Sequence, residues 1–275
     1  MTTTLSRRDF IKFLNSCLAG VALAPTGLRQ LAGATQERSP KEGPTSAPEG
    51  EKAGDAQWAF LVDINKCIGC GRCVLACKLE NRVPLDPDYN RTWVERYAVA
   101  ENGEVHKDSP DAGLNSFPTL PKTDGEKPEF AKSFFVPKLC NQCDNPPCVQ
   151  VCPVGASFKT SDGVVLIDQE RCIGCRYCII ACPYGARYFL EDGPVTPTGQ
   201  SRVADKCTWC YHRITKGLKP ACVEVCPVGA RQFGDLRDET SAVTQAVREK
   251  EVHVLKPALG TKPKVYYLGL RDWVQ

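Results

Sequence analysis

Cysteine is the residue type whose number and spacing in this chain point most directly to chemistry. The sequence of 275 residues contains 17 cysteines, and all except Cys17 fall into four groups of four. Thiolates at short intervals are typical metal ligands. The four groups are Cys67, Cys70, Cys73 and Cys77; Cys140, Cys143, Cys148 and Cys152; Cys172, Cys175, Cys178 and Cys182; and Cys207, Cys210, Cys222 and Cys226.

The first and third groups have the spacing C-x2-C-x2-C-x3-C, which binds pairs of iron–sulfur clusters in bacterial ferredoxins. In that run, three thiolates hold one cluster and the fourth holds the other cluster of the pair. Glycines in the loop, such as Gly69 and Gly174, let backbone amides approach the inorganic sulfides. We expect the fourth cysteine where the chain turns into a helix, with Pro153, Pro183 and Pro227 at first helical positions. Four groups therefore predict four [4Fe–4S] clusters in two pairs.

The separations between the groups predict how they pair. Only 19 residues lie between Cys152 and Cys172, which suits the compact hairpin of a two-cluster ferredoxin. The second and third groups (140–182) then form one module, and the first and fourth form the other, because closing a longer loop costs only logarithmically more entropy. The predicted ligand sets are Cys140, Cys143, Cys148 and Cys182; Cys172, Cys175, Cys178 and Cys152; Cys67, Cys70, Cys73 and Cys226; and Cys207, Cys210, Cys222 and Cys77.

Disulfides and zinc are the alternative explanations of these cysteines. Disulfide frameworks are typical of small exported proteins, whereas 275 residues can bury a core without crosslinks. Zinc is the stronger alternative, because C-x2-C pairs bind zinc in many proteins. A structural zinc ion takes two such pairs, however, and the extra cysteines at the x2 and x3 spacings would be surplus. The sequence therefore favours clusters.

The amino terminus has the pattern of an export signal. Residues Ser6–Lys12 (S-R-R-D-F-I-K) form a twin-arginine motif, which precedes the apolar stretch Phe13–Ala24 and the small residues Ala32–Ala34. We expect residues 1–34 to be a signal peptide, cleaved after Ala34, that exports the folded protein to the periplasmic side of the inner membrane. A lipoprotein signal ending at Cys17 is a poorer alternative. The apolar stretch is shorter than the roughly 20 residues of a membrane-spanning helix, so we expect membrane association only through a partner.

The basic charge of the chain comes from this signal. Arg7, Arg8, Lys12 and Arg29 against Asp9 account for the whole formal net charge of +3. The remaining residues are therefore neutral in sum, and four oxidised clusters with their thiolates would bring the total to roughly −8. The pI of about 8.1 gives no reason to expect a nucleic-acid partner.

The rest of the chain divides into a tether and one large domain. Residues 35–55 are rich in Pro, Gly, Glu and Lys without apolar periodicity, and we expect them to be disordered. Residues 56–275 form the four-cluster domain. Strand patterns at Trp58–Asp63 and Val164–Asp168, before the first and third groups, predict a strand, a cluster loop and a short helix repeated four times. The predicted fold class is α+β, with duplicated bacterial 2[4Fe–4S] ferredoxin-like modules.

An insert, residues 78–139, separates the first two cysteine groups. Within it, Trp93–Val99 alternates like a strand, and the segment as a whole is either a solvated loop or a docking surface for another subunit. After the last cysteine we predict a helix over Ser241–Lys250. Two strands, Val252–Leu255 and Val265–Leu268, should complete a strap over the modules.

The motifs that are missing limit the function. The sequence has no C-x2-C-H haem site, since His212 lies one position too late, and it has no G-x-G-x-x-G or phosphate-binding loop. Iron held by four cysteines per cluster has no open position for substrate, so we predict electron transfer and no catalytic residue. Trp209 and Tyr211 should exclude water near the fourth group and so tune its potential. His106, His212 and His253 are expected to be surface or core residues.

Four features of the sequence are similar to those of one known family. They are the twin-arginine leader, Cys67–Cys73 (C-I-G-C-G-R-C) with Cys172–Cys175 (C-I-G-C), Cys140–Cys148 (C-N-Q-C-D-N-P-P-C), and the x2, x11 and x3 spacings after Cys207. Over about residues 57–270 the chain resembles the four-cluster iron–sulfur subunit of the complex iron–sulfur molybdoenzymes, such as polysulfide, tetrathionate and dimethyl sulfoxide reductases. The resemblance also supports pairing of the first and fourth groups.

The resemblance implies a subunit of an anaerobic respiratory oxidoreductase. It would relay electrons between a polysulfide-reductase-type membrane subunit, which reacts with quinone or quinol, and a periplasmic catalytic subunit, often one with molybdopterin. Lys78 departs from the family's cysteine–proline pattern after Cys77, and we expect it to reshape the helix start without affecting ligation. All cysteines of the third group are present, which favours four cubane clusters over a three-iron variant. Two alternatives stay open: an electron-relay subunit of a membrane complex with a multihaem cytochrome, and a stand-alone periplasmic ferredoxin.

Overall fold

A strand, a cysteine-bearing loop and a helix follow one another four times along the chain, which confirms the predicted repeat and the α+β class. The computed structural model describes residues 56–118, 130–191 and 201–274. The predicted signal peptide (1–34) and tether (35–55) lie outside these ranges. The repeated pairs are β1 (Trp58–Asp63) with α1 (Arg72–Asn81), β4 (Phe130–Leu139) with α2 (Pro147–Gln150), β6 (Val165–Ile167) with α3 (Tyr177–Ile180), and β8 (Val203–Lys206) with α4 (Tyr211–Ile214).

The other elements extend this framework. Two small antiparallel pairs, β5 with β6 and β7 with β8, accompany the second and third cysteine groups. In the part of the chain that the structure describes, no helix is long and apolar enough to cross a membrane. The remaining elements are β2 (Thr92–Ala100), β3 (Val105–Asp108), β5 (Ser157–Lys159), β7 (Arg187–Leu190), α5 (Ala221–Glu224), β9 (Arg231–Asp235), α6 (Ala242–Glu249), β10 (Val252–His253) and β11 (Val265–Leu268).

The largest sheet has the strand order β10-β11-β1-β9. Successive side chains of a strand point to opposite faces, so an apolar strand such as β1 is covered on both sides. Ala59 and Leu61 pack against Val243 and Ala246 of helix α6. Phe60, on the other face, belongs to the main core, which also contains cysteines of the first, second and fourth groups. The sheet that leads into the first cysteine loop therefore lies between a packed core and a covering helix.

The carboxyl-terminal tail is an integral part of this sheet, which goes beyond the predicted strap. β11 matches the predicted strand Val265–Leu268 and pairs in parallel with β1. The predicted helix Ser241–Lys250 is confirmed one residue shorter at each end. The predicted strand Val252–Leu255 is shorter, because only Val252–His253 pairs with β11. Leu255 is instead buried in the main core.

The insert folds as a three-stranded antiparallel sheet with the order β3-β2-β4. β2 extends the predicted strand Trp93–Val99 by one residue at each end. Val94 and Tyr97 of this strand, and Val136 and Leu139 of β4, are buried in the main core. A solvated loop is therefore wrong for the described part of the insert, while its use as a docking surface stays a prediction. Residues 119–129 lie outside the described ranges.

The prolines after the fourth cysteines do not open helices as predicted. Helices α2, α3 and α5 each end two residues before the fourth cysteine of their group, so Pro153, Pro183 and Pro227 follow the helices. Proline cannot continue a helix, because it lacks an N–H and its ring collides with the preceding turn. Lys78 takes the place of proline in the first group, and helix α1 runs on to Asn81. The departure at Lys78 therefore changes where a helix ends, not where it begins.

Candidate metal centres

Each of the four cysteine loops has a left-handed backbone at the residue before its second cysteine. These residues are Gly69 (φ 67°), Gln142 (φ 45°), Gly174 (φ 70°) and Trp209 (φ 54°). At Gly69 a Cβ atom would lie 2.6 Å from the ring of Phe135, so glycine is required there for space as well as for conformation. Gln142 and Trp209 adopt the same conformation at a cost of about 1–2 kcal/mol each. Contacts of their side chains must offset that cost.

Site A is the set Cys67, Cys70, Cys73 and Cys226, and the structure brings these four residues together around one cavity. Burial raises the pKa of the Cys67 thiol to about 11, and the proximity of Cys73 and Cys226 adds to the increase. Cys226 comes from the fourth group, so the first and fourth groups meet here. A buried thiol with so high a pKa stays protonated unless a metal replaces its proton.

Site B is the set Cys77, Cys207, Cys210 and Cys222, and all four are buried. Burial and the three neighbouring thiols of the fourth group raise the pKa of Cys77 well above its usual value. The side-chain amide of Asn81 lies against two of the sulfurs. Its Nδ2 is 3.6 Å from Cys77 Sγ and 3.7 Å from Cys210 Sγ. The continuation of helix α1 past Cys77 is what places Asn81 in this site.

A buried ion pair holds Asn81 in position. Arg91 donates from NH1 to Asn81 Oδ1, and from Nε and NH2 to the two carboxylate oxygens of Asp205, each at 2.8 Å. The side chains of Arg91 and Asp205 are 8% and 5% exposed. Burial disfavours the charged guanidinium, but Asp205 more than compensates and raises the pKa of Arg91. Because Asp205 lies on β8, the pair joins the insert to the strand that leads into the fourth cysteine group.

Site C is the set Cys140, Cys143, Cys148 and Cys182, which together line a second cavity. Burial raises the pKa of Cys143 to about 12, and the thiols of Cys140, Cys148 and Cys182 act in the same direction. Three of the residues come from the second group and one from the third. The structure therefore brings the second and third groups together in one module.

Site D is the set Cys172, Cys175, Cys178 and Cys152. Cys172 lies close enough to Cys178 to act on its pKa, which burial raises above the usual value. Cys152 Sγ accepts a hydrogen bond from the backbone N–H of Ser157 at 3.4 Å. The placement of Cys152 and Cys175 in this site rests on the sequence. Ligation of iron by all sixteen cysteines likewise stays a prediction.

The four sites follow one another in the order A, B, C, D. This order is inferred from electrostatic interactions between thiols of neighbouring sites. Site B, in the interior of this series, has only buried cysteines, and site C has three buried and one half-buried. Sites A and D, at its ends, each have three half-buried cysteines. The contacts that join neighbouring sites are Cys73 with Cys222, Cys140 with Cys207, and Cys148 with Cys178.

Gln142 and Trp209, from the loops of the two interior sites, build the junction between the modules. Gln142 Nε2 donates to the carbonyl oxygen of Cys207 at 2.9 Å, and its Oε1 accepts from the N–H of Val165 at 2.7 Å. Trp209 is 1% exposed and packs against Phe60 with ring centroids 6.3 Å apart. These contacts offset the left-handed backbone of both residues. Trp209 is buried beside the fourth group, while its role in excluding water and tuning the potential stays a prediction.

Buried polar atoms without a hydrogen-bond partner collect at these sites. Among the described residues they include Nε and NH1 of Arg231, NH2 of Arg187, the amide of Asn141 and Nε1 of Trp209. Arg231 lines site A, while Arg187 and Asn141 line site C. A buried N–H without an acceptor costs about 1–3 kcal/mol. These donors fit an anionic group that carries sulfur acceptors, so the residues present at sites A and C suit a [4Fe–4S] cluster held by the four cysteines of each of these two sites.

A single metal ion fits the sites less well. Within the described ranges, no group of three or more His, Cys, Asp or Glu side chains is arranged to hold one ion. At sites A and C the cysteines surround a cavity instead, as a cluster of several atoms requires. The three histidines lie where surface residues are expected. Each imidazole is at least a third exposed and lies beside a glutamate, at His106, His212 and His253.

Two arginines at these sites were not predicted from the spacing of the cysteines. After three of the fourth cysteines the sequence reads C-P-x-G-A, and the next residue is Ser157, Arg187 or Arg231. Arg187 donates from NH1 to Ser157 Oγ at 2.9 Å, and Arg231 donates from NH2 to Thr92 Oγ1 at 2.8 Å. The recurrence of a basic residue at the same distance from the cysteine is the signal that would have identified both.

Comparison with known proteins also identifies this domain as one that binds iron–sulfur clusters. Two models of the 4Fe-4S dicluster domain match residues 66–156 and 131–236. The B subunit of the tetrathionate reductase of Salmonella typhimurium is 38% identical over 269 residues, covering 97% of this chain and 89% of that protein. The corresponding B subunit from Archaeoglobus fulgidus is 46% identical over 214 residues, covering 78% and 83%. The Hdr-like menaquinol oxidoreductase iron-sulfur subunit 1 of Archaeoglobus fulgidus is 36% identical over 301 residues, covering 97% and 98%.

Proposed function

Because this chain belongs to the family of iron–sulfur electron-transfer subunits of the complex iron–sulfur molybdoenzymes, we propose that it relays electrons through four [4Fe–4S] clusters. The electrons would pass between a membrane subunit that reacts with quinone or quinol and a periplasmic catalytic subunit that carries molybdopterin. In this proposal the chain supplies the cysteine ligands and a protein environment that keeps solvent away from the clusters. It has no catalytic residue of its own.

The observation that carries the proposal is the series of four cysteine sites. Each bound cluster would supply a centre that gains or loses one electron. Cysteines at the junctions lie close enough to interact, at Cys73 with Cys222 and at Cys140 with Cys207. All four cysteines of site B are buried, and Trp209, next to Cys210, is 1% exposed. An interior without open ligand positions suits transfer along the series better than binding of a substrate.

The two ends of the series are the proposed places of electron entry and exit. Ile68, beside Cys67 of site A, is 56% exposed, and Ile173 and Ile180 at site D are 64% and 82% exposed. We propose that these exposed apolar side chains contact the partner subunits. We assign one end to the catalytic subunit and the other to the membrane subunit, without assigning which end belongs to which.

The partners and the compartment follow from the relatives and the amino terminus. Two of the relatives named above are single subunits of tetrathionate reductases, and a subunit of this kind requires at least a catalytic partner. We propose a polysulfide-reductase-type integral membrane subunit as the second partner. Export by the twin-arginine route would place the complex on the periplasmic side of the inner membrane, with residues 1–34 as the signal.

A second candidate function is electron relay in a menaquinol-linked complex without a molybdenum subunit. The match to the relative named as a menaquinol oxidoreductase subunit covers nearly all of both chains, and this supports a link to menaquinol. A multihaem cytochrome would then take the place of the molybdoenzyme. Both candidates use the same four sites and differ only in the partner.

The test is anaerobic purification of the full chain with its native partners. We expect about sixteen iron atoms and as many acid-labile sulfides per chain, as four cubane clusters require. Molybdenum in the complex would favour the molybdoenzyme, and covalent haem would favour the cytochrome. Stoichiometric zinc, or disulfides between the grouped cysteines, would disprove the relay. A chain that purifies only as a monomer would point to the stand-alone ferredoxin.

A further inference from the structure

Three buried cations occupy the three junctions of the cysteine series. Arg231, Lys206 and Arg187 are 2%, 0% and 4% exposed. Within the described ranges, none of them forms an ion pair with a carboxylate. Removing an unpaired charge from water is energetically unfavourable, so a compensating negative charge is expected close to each one.

Arg231 lies between sites A and B. It lines the cavity of site A together with Cys67 and Cys73. It also interacts electrostatically with Cys222 of site B. The hydrogen bond to Thr92 uses only NH2, and Nε and NH1 have no partner. Two donors of one guanidinium are therefore available to acceptors in the neighbouring sites.

Arg187 has the equivalent place in the other module. It lines the cavity of site C with Cys148, and it interacts electrostatically with Cys178 of site D. Its NH1 donates to Ser157, whereas NH2 has no partner. Since Arg187 and Arg231 each follow C-P-x-G-A, the duplicated modules carry the same charge in the same place.

Lys206 lies between sites B and C, where the modules meet. Its Nζ donates to the carbonyl oxygens of Val165 and Cys207, the second at 2.8 Å. Cys140 and Cys148 of site C are close enough to interact with its charge. The lysine thus contacts the backbone of a site B cysteine and faces thiols of site C.

Some other buried cations are arranged differently, although among the described residues buried Lys78 also forms no ion pair and donates to the carbonyl oxygens of Pro84, Asp86 and Tyr89. Arg91 pairs with Asp205, and Arg96 pairs with Asp108. Those charges are compensated by the protein itself. Among the described residues the three junction cations lack such a partner, and they interact with cysteines of the adjacent sites, which become anionic when they bind a cluster.

We infer that Arg231, Lys206 and Arg187 set the reduction potentials of the sites in overlapping pairs: A and B, B and C, and C and D. A site becomes more negative when it accepts an electron, and a fixed positive charge nearby stabilises that state. Each cation should therefore raise the potentials of both sites that flank it. The residues are positioning residues in this role, and the inference rests on the proposed four-cluster relay.

The test is a redox titration of the full chain, loaded anaerobically with clusters and followed by electron paramagnetic resonance. The substitutions are Arg231→Gln, Lys206→Met and Arg187→Gln, and cysteine variants of single sites assign the four reduction steps. We expect each substitution to lower two of the four midpoint potentials and leave the other two in place. The inference is supported only if Arg231→Gln lowers the potentials of sites A and B, Lys206→Met those of B and C, and Arg187→Gln those of C and D.

Arg96→Gln is the matched control, because Arg96 is also buried but pairs with Asp108. All four potentials should stay at their original values in this variant. Equal shifts of all four potentials in a junction variant, or no shift in any, would overturn the inference while the iron content still upholds the relay. An unaltered chain without four clusters would overturn both.

Charge-preserving variants decide the case in which a substitution prevents cluster loading. Arg231→Lys, Arg187→Lys and Lys206→Arg keep the charge and change the shape of the side chain. Four loaded clusters in these variants, with loss of clusters in the neutral ones, would show that the charge is required. Loss of clusters in both sets would show that shape alone matters, and the inference would fail.

Discussion

Replacement of Asp205 by asparagine should destabilise the domain more than any change to a surface charge. The carboxylate accepts two hydrogen bonds from Arg91 at 2.8 Å and a further one from Tyr188. Asparagine has nearly the same shape but no charge, and it can accept with only one oxygen. The substitution therefore leaves Arg91 buried without its counterion.

Breaking a buried ion pair by removing one partner costs about 3–5 kcal/mol. The low value is appropriate here, because Arg91 also donates to Asn81 and the new amide oxygen keeps one acceptor. We therefore expect a loss of about 3 kcal/mol, equivalent to roughly a hundredfold change in the unfolding equilibrium. Because Asn81 depends on Arg91 for its position, site B should also be perturbed.

The assay is guanidinium unfolding of the cluster-loaded chain under anaerobic conditions, followed by the visible absorption of the clusters. The shift in the midpoint at constant slope gives the change in apparent stability. Glu191→Gln is the control, since Arg176 and Glu191 form an ion pair with both side chains at least half exposed. Such a surface pair contributes about 0–1 kcal/mol.

A second control separates the ion pair from its surroundings. Replacing both Arg91 and Asp205 by leucine removes both charges and should cost less than Asp205→Asn alone, because no buried charge is left unpaired. The reasoning is refuted if Asp205→Asn shifts the midpoint no more than Glu191→Gln does. It is also refuted if the double substitution is the more harmful one.

Three further substitutions test the loops and their neighbours. Asn81→Leu removes the N–H group next to two sulfurs of site B, so the midpoint potential of that site should fall in a redox titration while those of sites C and D stay constant. Gln142→Ala leaves the buried N–H of Val165 without its acceptor and should lower the free energy of unfolding by about 1–3 kcal/mol, measured by guanidinium unfolding. Gly69→Ala should lower it by more than Gly103→Ala: both glycines have positive φ, but a Cβ meets the Phe135 ring at 2.6 Å only at position 69. Equal midpoints for the two alanine variants would contradict the steric argument.

The sequence predicts those parts of the fold in which local preference and tertiary packing agree. β1 and β11 coincide with the predicted strands Trp58–Asp63 and Val265–Leu268, because continuous apolar and aromatic runs suit a buried strand. The insert was harder to predict, since only its first strand alternates clearly. The pairing of that strand with Phe130–Leu139 depends on contacts distant in sequence, which periodicity does not reveal.

The prolines show why a correctly identified motif can still lead to a wrong prediction of the local structure. Proline is favourable at the first turn of a helix and also just beyond its end. The sequence around Pro153, Pro183 and Pro227 is compatible with both positions. The helices precede the prolines because the third cysteine of each group already lies within them. The spacing of the cysteines specifies which thiolates meet. The packing of the helices determines whether a helix lies before or after the fourth cysteine.

The loops of the interior and end sites differ in the residue that precedes the second cysteine. Where glycine occupies the residue before the second cysteine, at Gly69 and Gly174, the left-handed backbone is accessible without side-chain contacts. Gln142 and Trp209 require compensation for the same backbone, and each obtains it from a buried contact at the junction of the modules. At this position of the loop, the two residues that carry a side chain are therefore the ones that join the two modules. That joining buries the thiols between sites B and C, and a dry interior strengthens the action of every charge at the junction.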